Sequence, residues 1–421
     1  MQLTEWLNRI DAVHPQEMEL GLARIRQVAQ NLDLLPVKVP VFTVAGTNGK
    51  GTTVACLDAC LRKLGYVTGT YTSPHLMRIN ERFTVSGEFI TDDALCAIFA
   101  QIDAVRGEIL LTFFEYCVLA ALCWFQQAAV DVVILEVGLG GRLDAVNIVD
   151  ADVAIIASIA LDHQAWLGDT RAEIAREKAG IARAGKPVIC GDLDPPETLS
   201  AAFQSIGALA QYAGVDYHVT QHVDHWQWQG YGHVYSALPM PQIPLQNAAT
   251  VLAALHAVPS IAARLTPEVL TQVLTQLQVP GRYQTFVLAT GKTVVLDVAH
   301  NPHAAAHLAE CLAKESKFTH TYALFSALAD KDIKGIVQAL VPHIDVWHYA
   351  ALTDERAASL STLAQALPDV AIAHDSVLQA CQAVVAQMST TDRLVILGSF
   401  FTVAAVLPWL IQMQAAGHVD A

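Results

Sequence analysis

The chain is short of charge. Of its 421 residues only 15% are Asp, Glu, Lys or Arg, against 53% hydrophobic. Cations are the scarcer sign, with 25 basic side chains facing 40 acidic ones and a net charge of −15. Such a surface repels phosphate backbones, which argues against nucleic acid as a partner and obliges any small anionic substrate to meet a local cationic site. The eight cysteines contain no CxxC pair and no zinc-like spacing. They read as small buried hydrophobes in a reducing cytosol. There is no heptad run, internal repeat or low-complexity tract. The first residues, MQLTEWLNRIDAVH, carry early charge and no apolar core, so no secretory signal is expected. The run 394–411 is 18 residues without a charge and formally reaches membrane-spanning length. Gly398-Ser399 breaks it and Pro408 interrupts it, so it is expected as a short buried strand followed by an apolar helix. A cytoplasmic monomer with no membrane partner is expected.

What the chain does have is a βα rhythm. Apolar segments at 39–44, 67–71, 130–137, 153–159 and 187–190 read as buried strands. Helices are expected at 52–64, 92–102, 114–127 and 170–182. Repeats of this kind imply an α/β fold with a doubly wound, mostly parallel sheet. The segment 212–236 alternates polar and aromatic residues and suggests a small antiparallel hairpin excursion. Helix returns at 245–257, and Val279-Pro280-Gly281-Arg282 reads as a hinge. The rhythm then restarts with strands at 293–299, 322–328, 346–349 and 394–397. Two domains are expected: 1–282, a phosphate-loop domain, and 283–421, a Rossmann-like α/β domain.

The most informative stretch is AGTNGKGTT at 45–53, straight after the first apolar run. Strand, glycine-rich loop and lysine-headed helix together aim backbone N–H groups, a helix N-terminus and one ammonium at a single place, where a triphosphate tail usually sits. The generic GxxxxGK[ST] pattern is not met. Val44 stands where its first glycine belongs, and Gly51 follows Lys50, with a hydroxyl arriving only at Thr52. A second feature is DVVILEVGLGGRLD at 131–144, where an apolar strand ends in Glu136. A carboxylate at the tip of a neighbouring strand holds magnesium in phosphate-loop enzymes. The alternative, a surface acid, suits that apolar run less well. Leu161-Asp162-His163 follows another buried strand at the same sheet edge, so His163 reads equally as a metal or phosphate ligand and as a structural histidine. In YTSPHL, Ser73 could offer an oxygen to magnesium or simply start a turn before Pro74. In REKAGI, Lys178 taken alone is a solvated helix lysine. DVAHNPHA places His300, His303 and His307 near a strand end, either as metal ligands or as polar surface. His218, His222, His225 and His233 lack ligand spacing and read as surface.

Taken in order, GTNGKGTT, YTSPHL, EVGLGGRLDAVN, SIALDH, REKAGI, PGR, DVAHNPHA and DKD resemble the folylpolyglutamate synthases of the Mur ligase-like group. The resemblance runs from about residue 5 to residue 412. It implies an ATP-dependent ligase that joins L-glutamate to dihydropteroate and to folates through an acyl phosphate. By the same resemblance Thr47, Asn48, Gly49 and Lys50 would cradle the ATP phosphates, with Gly51 and Thr52 completing the loop. Asn247, Arg282 and Asp297 match further nucleotide positions, so that ATP would lie between domains. Ser73 and Glu136 would hold one magnesium and His163 a second. Lys178 resembles a lysine that is carbamylated in this group. Lys50, Lys178 and His163 would be the catalytic residues. Met18, Glu19 and Leu20, Thr112, Phe113, Phe114 and Glu115, and Leu143, Asp144 and Ala145 match dihydropteroate-contacting segments. Phe113 or Phe114 could stack on a pterin, or both could be core. Ser326 and Phe401 depart from residues common in that family. Three rivals stand beside this reading. One is a Mur ligase acting on a UDP-linked precursor, for which the 45 residues before Gly46 are too few to form a sugar-nucleotide domain. The others are a monofunctional polyglutamylase and a non-catalytic ATP-binding switch.

Overall fold

A computed structural model describes residues 1–14, 19–315 and 318–415. The chain forms two compact units, Met1–Leu277 and a second beginning at Gln278.

In the first unit eight strands form one sheet. They are β1 (Val41–Ala45), β2 (Thr68–Tyr71), β3 (Phe83–Val85), β4 (Glu88–Phe89), β5 (Val132–Glu136), β6 (Val153–Ile156), β7 (Pro187–Cys190) and β8 (Leu209–Tyr212). Their order is β4-β3-β2-β5-β1-β6-β7-β8. Every pairing from β2 to β8 is parallel, and the β2–β3 and β3–β4 pairings are antiparallel. Strands β1, β2, β5 and β6 are buried at every residue. That is why β1, β5 and β6 appear in sequence as largely apolar runs without alternation, since helices cover both faces. The strands expected at 39–44, 130–137 and 153–159 are present at 41–45, 132–136 and 153–156. Strands β3, β4 and β8 gave no sequence signal, being two to four residues long.

The segment expected as a hairpin excursion holds one strand more. It is a three-stranded antiparallel sheet rather than a hairpin, formed by β9 (Tyr217–Gln221), β10 (His225–Gly230) and β11 (His233–Pro239). Tyr212 belongs to the main sheet instead. Trp226 and Trp228 point inward and are fully buried, with the Trp228 indole donating to the Ala249 carbonyl at 3.0 Å. His218, His222 and His233 are exposed.

In the second unit β12 (Gln284–Val287) lies antiparallel to β13 (Thr293–Asp297). The sheet continues in parallel through β17 (Arg393–Leu397), β14 (Thr321–Phe325), β15 (Val346–Ala350) and β16 (Ile372–His374). The uncharged run 394–411 divides between β17 and the helix Phe400–Ala415, which carries Pro408 inside it. Among the described residues no helix is long and apolar enough to cross a membrane.

Candidate active site

The C-terminal ends of β1, β2, β5 and β6 bring four sequence segments to one edge of the first sheet, the place where α/β sheets bind ligands. The loop after β1 is tied to the segment after β6. Thr47 N–H donates to the Ser158 carbonyl at 2.8 Å, and its hydroxyl donates to the Ala160 carbonyl at 2.9 Å. Asn48 N–H donates to the Ser158 hydroxyl at 3.1 Å. Gly49 caps the helix Lys50–Lys63 with a left-handed φ of 82°. Lys50 Nζ donates to the Gly46 carbonyl at 3.0 Å and reaches that of Thr47 at 3.4 Å.

Asn247, on the helix Leu245–His256, braces this loop. Its Nδ2 donates to Thr52 Oγ1 at 2.6 Å, and Thr52 in turn donates to the Gly49 carbonyl at 2.9 Å. A Cβ on Gly49 would meet Asn247 Nδ2 at 2.7 Å. Gly49→Ala is therefore expected to destabilise the protein by about 1–3 kcal/mol, from left-handed strain plus the clash. It should also weaken nucleotide binding at least tenfold, read by thermal melting and by calorimetric ATP titration. Unchanged binding would remove Gly49 from the site.

Glu136 ends β5 and is only 4% exposed. Its Oε2 accepts the Ser73 backbone N–H at 3.3 Å, and a Cβ on Gly51 would sit 3.7 Å from the same oxygen. The carboxylate thus lies against the first turn of the lysine-headed helix, with Ser73 beside it. A carboxylate and a hydroxyl are hard oxygen donors of the kind magnesium and manganese take. His163 is exposed in a left-handed conformation before the short helix Gln164–Leu167. Among the described residues no three His, Cys, Asp or Glu side chains cluster at ligating distance. That includes the histidines at 300, 303 and 307.

Lys178 is not a solvated helix lysine. It is 3% exposed and shares a cleft with Lys50, Gly138, Asp162 and His163. Close backbone packing explains its burial. The turn after β5 docks on the helix Arg171–Ala179, with Arg142 N–H donating to the Glu177 carbonyl at 2.8 Å. A Cβ on Gly141 would lie 2.8 Å from that carbonyl oxygen, and one on Gly180 would lie 2.4 Å from Arg142 Cβ. Only glycines allow this contact, and it shuts water off from Lys178. Burial pushes the ammonium down to about 7. The Lys50 charge lowers it further, while Asp162 and Asp144 oppose the shift.

The three segments expected to contact a pteroate also converge, though Met18 lies outside the described residues. Glu19 is exposed and pairs with Arg24, and Arg24 Nε reaches both Glu115 oxygens at 2.9 Å. Glu115 closes a capping box with Thr112 at the start of the helix Phe113–Gln127. Leu20, Phe113, Phe114 and Leu143 are half-buried, and Ala145 is buried. The Phe114 ring meets Tyr71 edge-on at 5.9 Å and would lie 2.6 Å from a Cβ on Gly138. Asp144 is buried against the same turn, accepting the Leu139 and Val146 N–H groups at 2.8 and 3.0 Å. Burial raises its carboxyl to about 6, against those N–H groups and the Lys50 charge. Arg82 stands 5.3 Å over the Phe113 ring and donates to His75 Nδ1 at 2.9 Å. Arg24, Arg82 and Asp162 were not among the expected site residues. Arg24 and Arg82 have no motif of their own.

In the second unit Arg282 lies over the Phe400 ring at 5.0 Å and beside Asp297. The Asp297 carboxylate accepts the Tyr283 and Ala299 N–H groups, each at 2.8 Å. Burial raises the Asp297 carboxyl, and Arg282 moderates the rise.

A phosphate-type loop on a parallel sheet, an acidic strand tip and a second α/β unit define the class as an ATP-dependent ligase of the Mur type. Residues 44–192 match the Mur ligase middle domain, and residues 281–400 match the Mur ligase glutamate ligase domain. The dihydrofolate synthase/folylpolyglutamate synthase of Escherichia coli K12 is 43% identical over 417 residues, covering 99% of this chain and 97% of that protein. Its counterpart in Haemophilus influenzae is 40% identical, covering 96% of each. The solved structure of E. coli FolC with DHPP and ADP superposes with a TM-score of 0.93 at 42% identity, covering 98% of both chains. That of the Yersinia pestis bifunctional enzyme with AMPPNP and Mn ion gives 0.92 at 44% identity, again covering 98% of both. The chain belongs to the dihydrofolate synthase/folylpolyglutamate synthase family of Mur ligases.

Proposed function

We propose that this protein uses ATP to join L-glutamate to dihydropteroate, giving dihydrofolate, and to folates, extending their glutamate tail. The observation that carries the reading is the convergence of Lys50, Glu136, Asp162, His163 and Lys178 on one sheet edge, beside the Thr112–Glu115 and Asp144 segments. A carboxylate does not acylate an amine unaided at neutral pH. The loop Thr47–Lys50, with Gly51 and Thr52, would hold the triphosphate. The Lys50 ammonium would offset charge on the transferred phosphoryl group. The substrate carboxylate would take that group to become an acyl phosphate. The α-amine of glutamate then attacks the carbonyl, an amide forms and phosphate leaves. Asn247 would brace the nucleotide loop. The second unit, which carries Arg282 and Asp297, would have the role of delivering glutamate.

Ser73 and Glu136 are suited to one magnesium ion and His163 to a second, supplying charge neutralisation at the phosphates when bound. A neutral Lys178 amine can add to carbon dioxide. The new N–C bond forms, one proton leaves to water, and an anionic carbamate stands where a cation would. This would explain a buried lysine beside a metal site and would give it oxygen donors.

The deciding measurement is ADP release with glutamate plus either dihydropteroate or tetrahydrofolate. Turnover with both supports the reading, and turnover with neither overturns it. Glu136→Ala is expected to lower this activity more than about a hundredfold in a folded protein. Wild-type activity in that variant would remove the metal assignment.

A further inference from the structure

Arg82 is the cation in this unit with an unusual pair of partners. Its main chain faces Thr72 across the β2–β3 ladder, where Thr72 N–H donates to the Arg82 carbonyl at 3.0 Å. The next residue, Ser73, gives its N–H to Glu136. The side chain of Arg82 therefore leaves the sheet beside the reacting end of the site. It is half-buried, and among the described residues it forms no ion pair with a carboxylate. Comparable arginines do: Arg24 pairs with Glu115, Arg106 with Asp103 and Arg183 with Asp150. Arg82 has neutral supports instead. A guanidinium only donates, so His75 Nδ1 must present its lone pair to Nε at 2.9 Å, and the Phe113 ring lies 5.3 Å away. These supports fix the fork without cancelling its charge. In a chain with 40 acidic side chains, leaving such a cation unneutralised suits an external anion.

The two acyl substrates differ in one anion. The terminal glutamate of a folate carries an α-carboxylate that survives the reaction, two methylenes and one carbon away from the γ-carboxyl that is activated. Dihydropteroate has only its reacting carboxylate. We propose that Arg82 anchors this α-carboxylate, so that it favours folates over dihydropteroate as the acyl substrate. The inference rests on the function proposed above.

The test is initial-rate ADP release with each acyl substrate at saturating ATP and glutamate. Arg82→Gln is expected to raise KM for tetrahydrofolate roughly 10- to 100-fold, the range for losing a charge-assisted hydrogen bond, and KM for dihydropteroate far less. His75→Asp keeps Arg82 in place but sets a carboxylate against its guanidinium, and should reproduce the selective loss. His75→Gln keeps a neutral acceptor and should keep the wild-type ratio of the two KM values. A merely structural Arg82 would be held more firmly by His75→Asp and would show no change in that ratio. Equal shifts for both substrates in Arg82→Gln, or a wild-type ratio in His75→Asp, would overturn the proposal. If the wild type turns over neither substrate, it is the parent function that fails.

Discussion

Lys50→Ala is expected to lower glutamate-dependent ADP release by at least about a thousandfold, the scale on which preorganised charge at a transferring phosphoryl group acts. Thermal unfolding should move by only a few degrees. The two halves of this expectation come from different contacts. Lys50 reaches back to the Gly46 and Thr47 carbonyls, so its ammonium is held over the loop. The loop itself does not depend on it. Thr47 is held by Ser158 and Ala160, Asn48 by Ser158, and Thr52 by Asn247. A folded variant that retains more than a tenth of wild-type activity would show that the loop carries no catalytic charge.

Lys178→Met should separate activity from stability. Activity is expected to fall by at least about a hundredfold, because the variant has no amine to carry a carbamate. Stability should rise. The native ammonium is depressed to about 7 from an ordinary 10.5, with burial as the largest cause. Below pH 7 the lysine is cationic in both folded and unfolded chains, and the native state bears the full cost of a buried charge. Between about 7 and 10.5 the unfolded chain binds the extra proton, so wild-type stability climbs with pH and the cost fades. The melting temperature of Lys178→Met should therefore exceed that of wild type most clearly below pH 7, and the gap should close as pH rises toward 10.5. A gap independent of pH would mean that Lys178 is not a buried titrating amine. Stripping carbon dioxide and bicarbonate should reduce wild-type turnover and leave the variant's residual rate unchanged. Equal turnover with and without them would exclude the carbamate.

Both outcomes depend on features that differ in how far the sequence reveals them. The nucleotide loop is legible because all its parts are local: an apolar strand, a run of glycines and a lysine at the head of a helix. Glu136 is legible for the same reason, as a charge at the end of a buried strand. Lys178 is not. REKAGI opens on three charged residues, and although Ile174 and Ile181 fall on the same helical face, nothing within a few residues tells a buried amine from one that reaches out to solvent. Its environment is made by the turn after β5, more than thirty residues earlier, which can approach only because Gly141 and Gly180 lack side chains. From the residues alone those glycines look like ordinary turn formers. The third strand of the excursion is hard to read although it follows β10 after only a two-residue turn, because a register shift between Trp226 and Trp228 interrupts the alternation that would mark it.

The sequence by itself determined the α/β class, the order of two α/β units, the glycine-rich loop at the head of a helix and, through a set of motifs in fixed order, the family. These are set by short-range patterning and by residue identity at strand ends. Only the tertiary structure decided that Lys178 is buried and near neutrality, that Asn247 braces a loop about two hundred residues away, and that Arg82 is supported by neutral groups. The physical reason is that desolvation and charge pairing depend on which distant backbones come into contact, and a lysine or arginine in the chain carries no mark of the company it will keep.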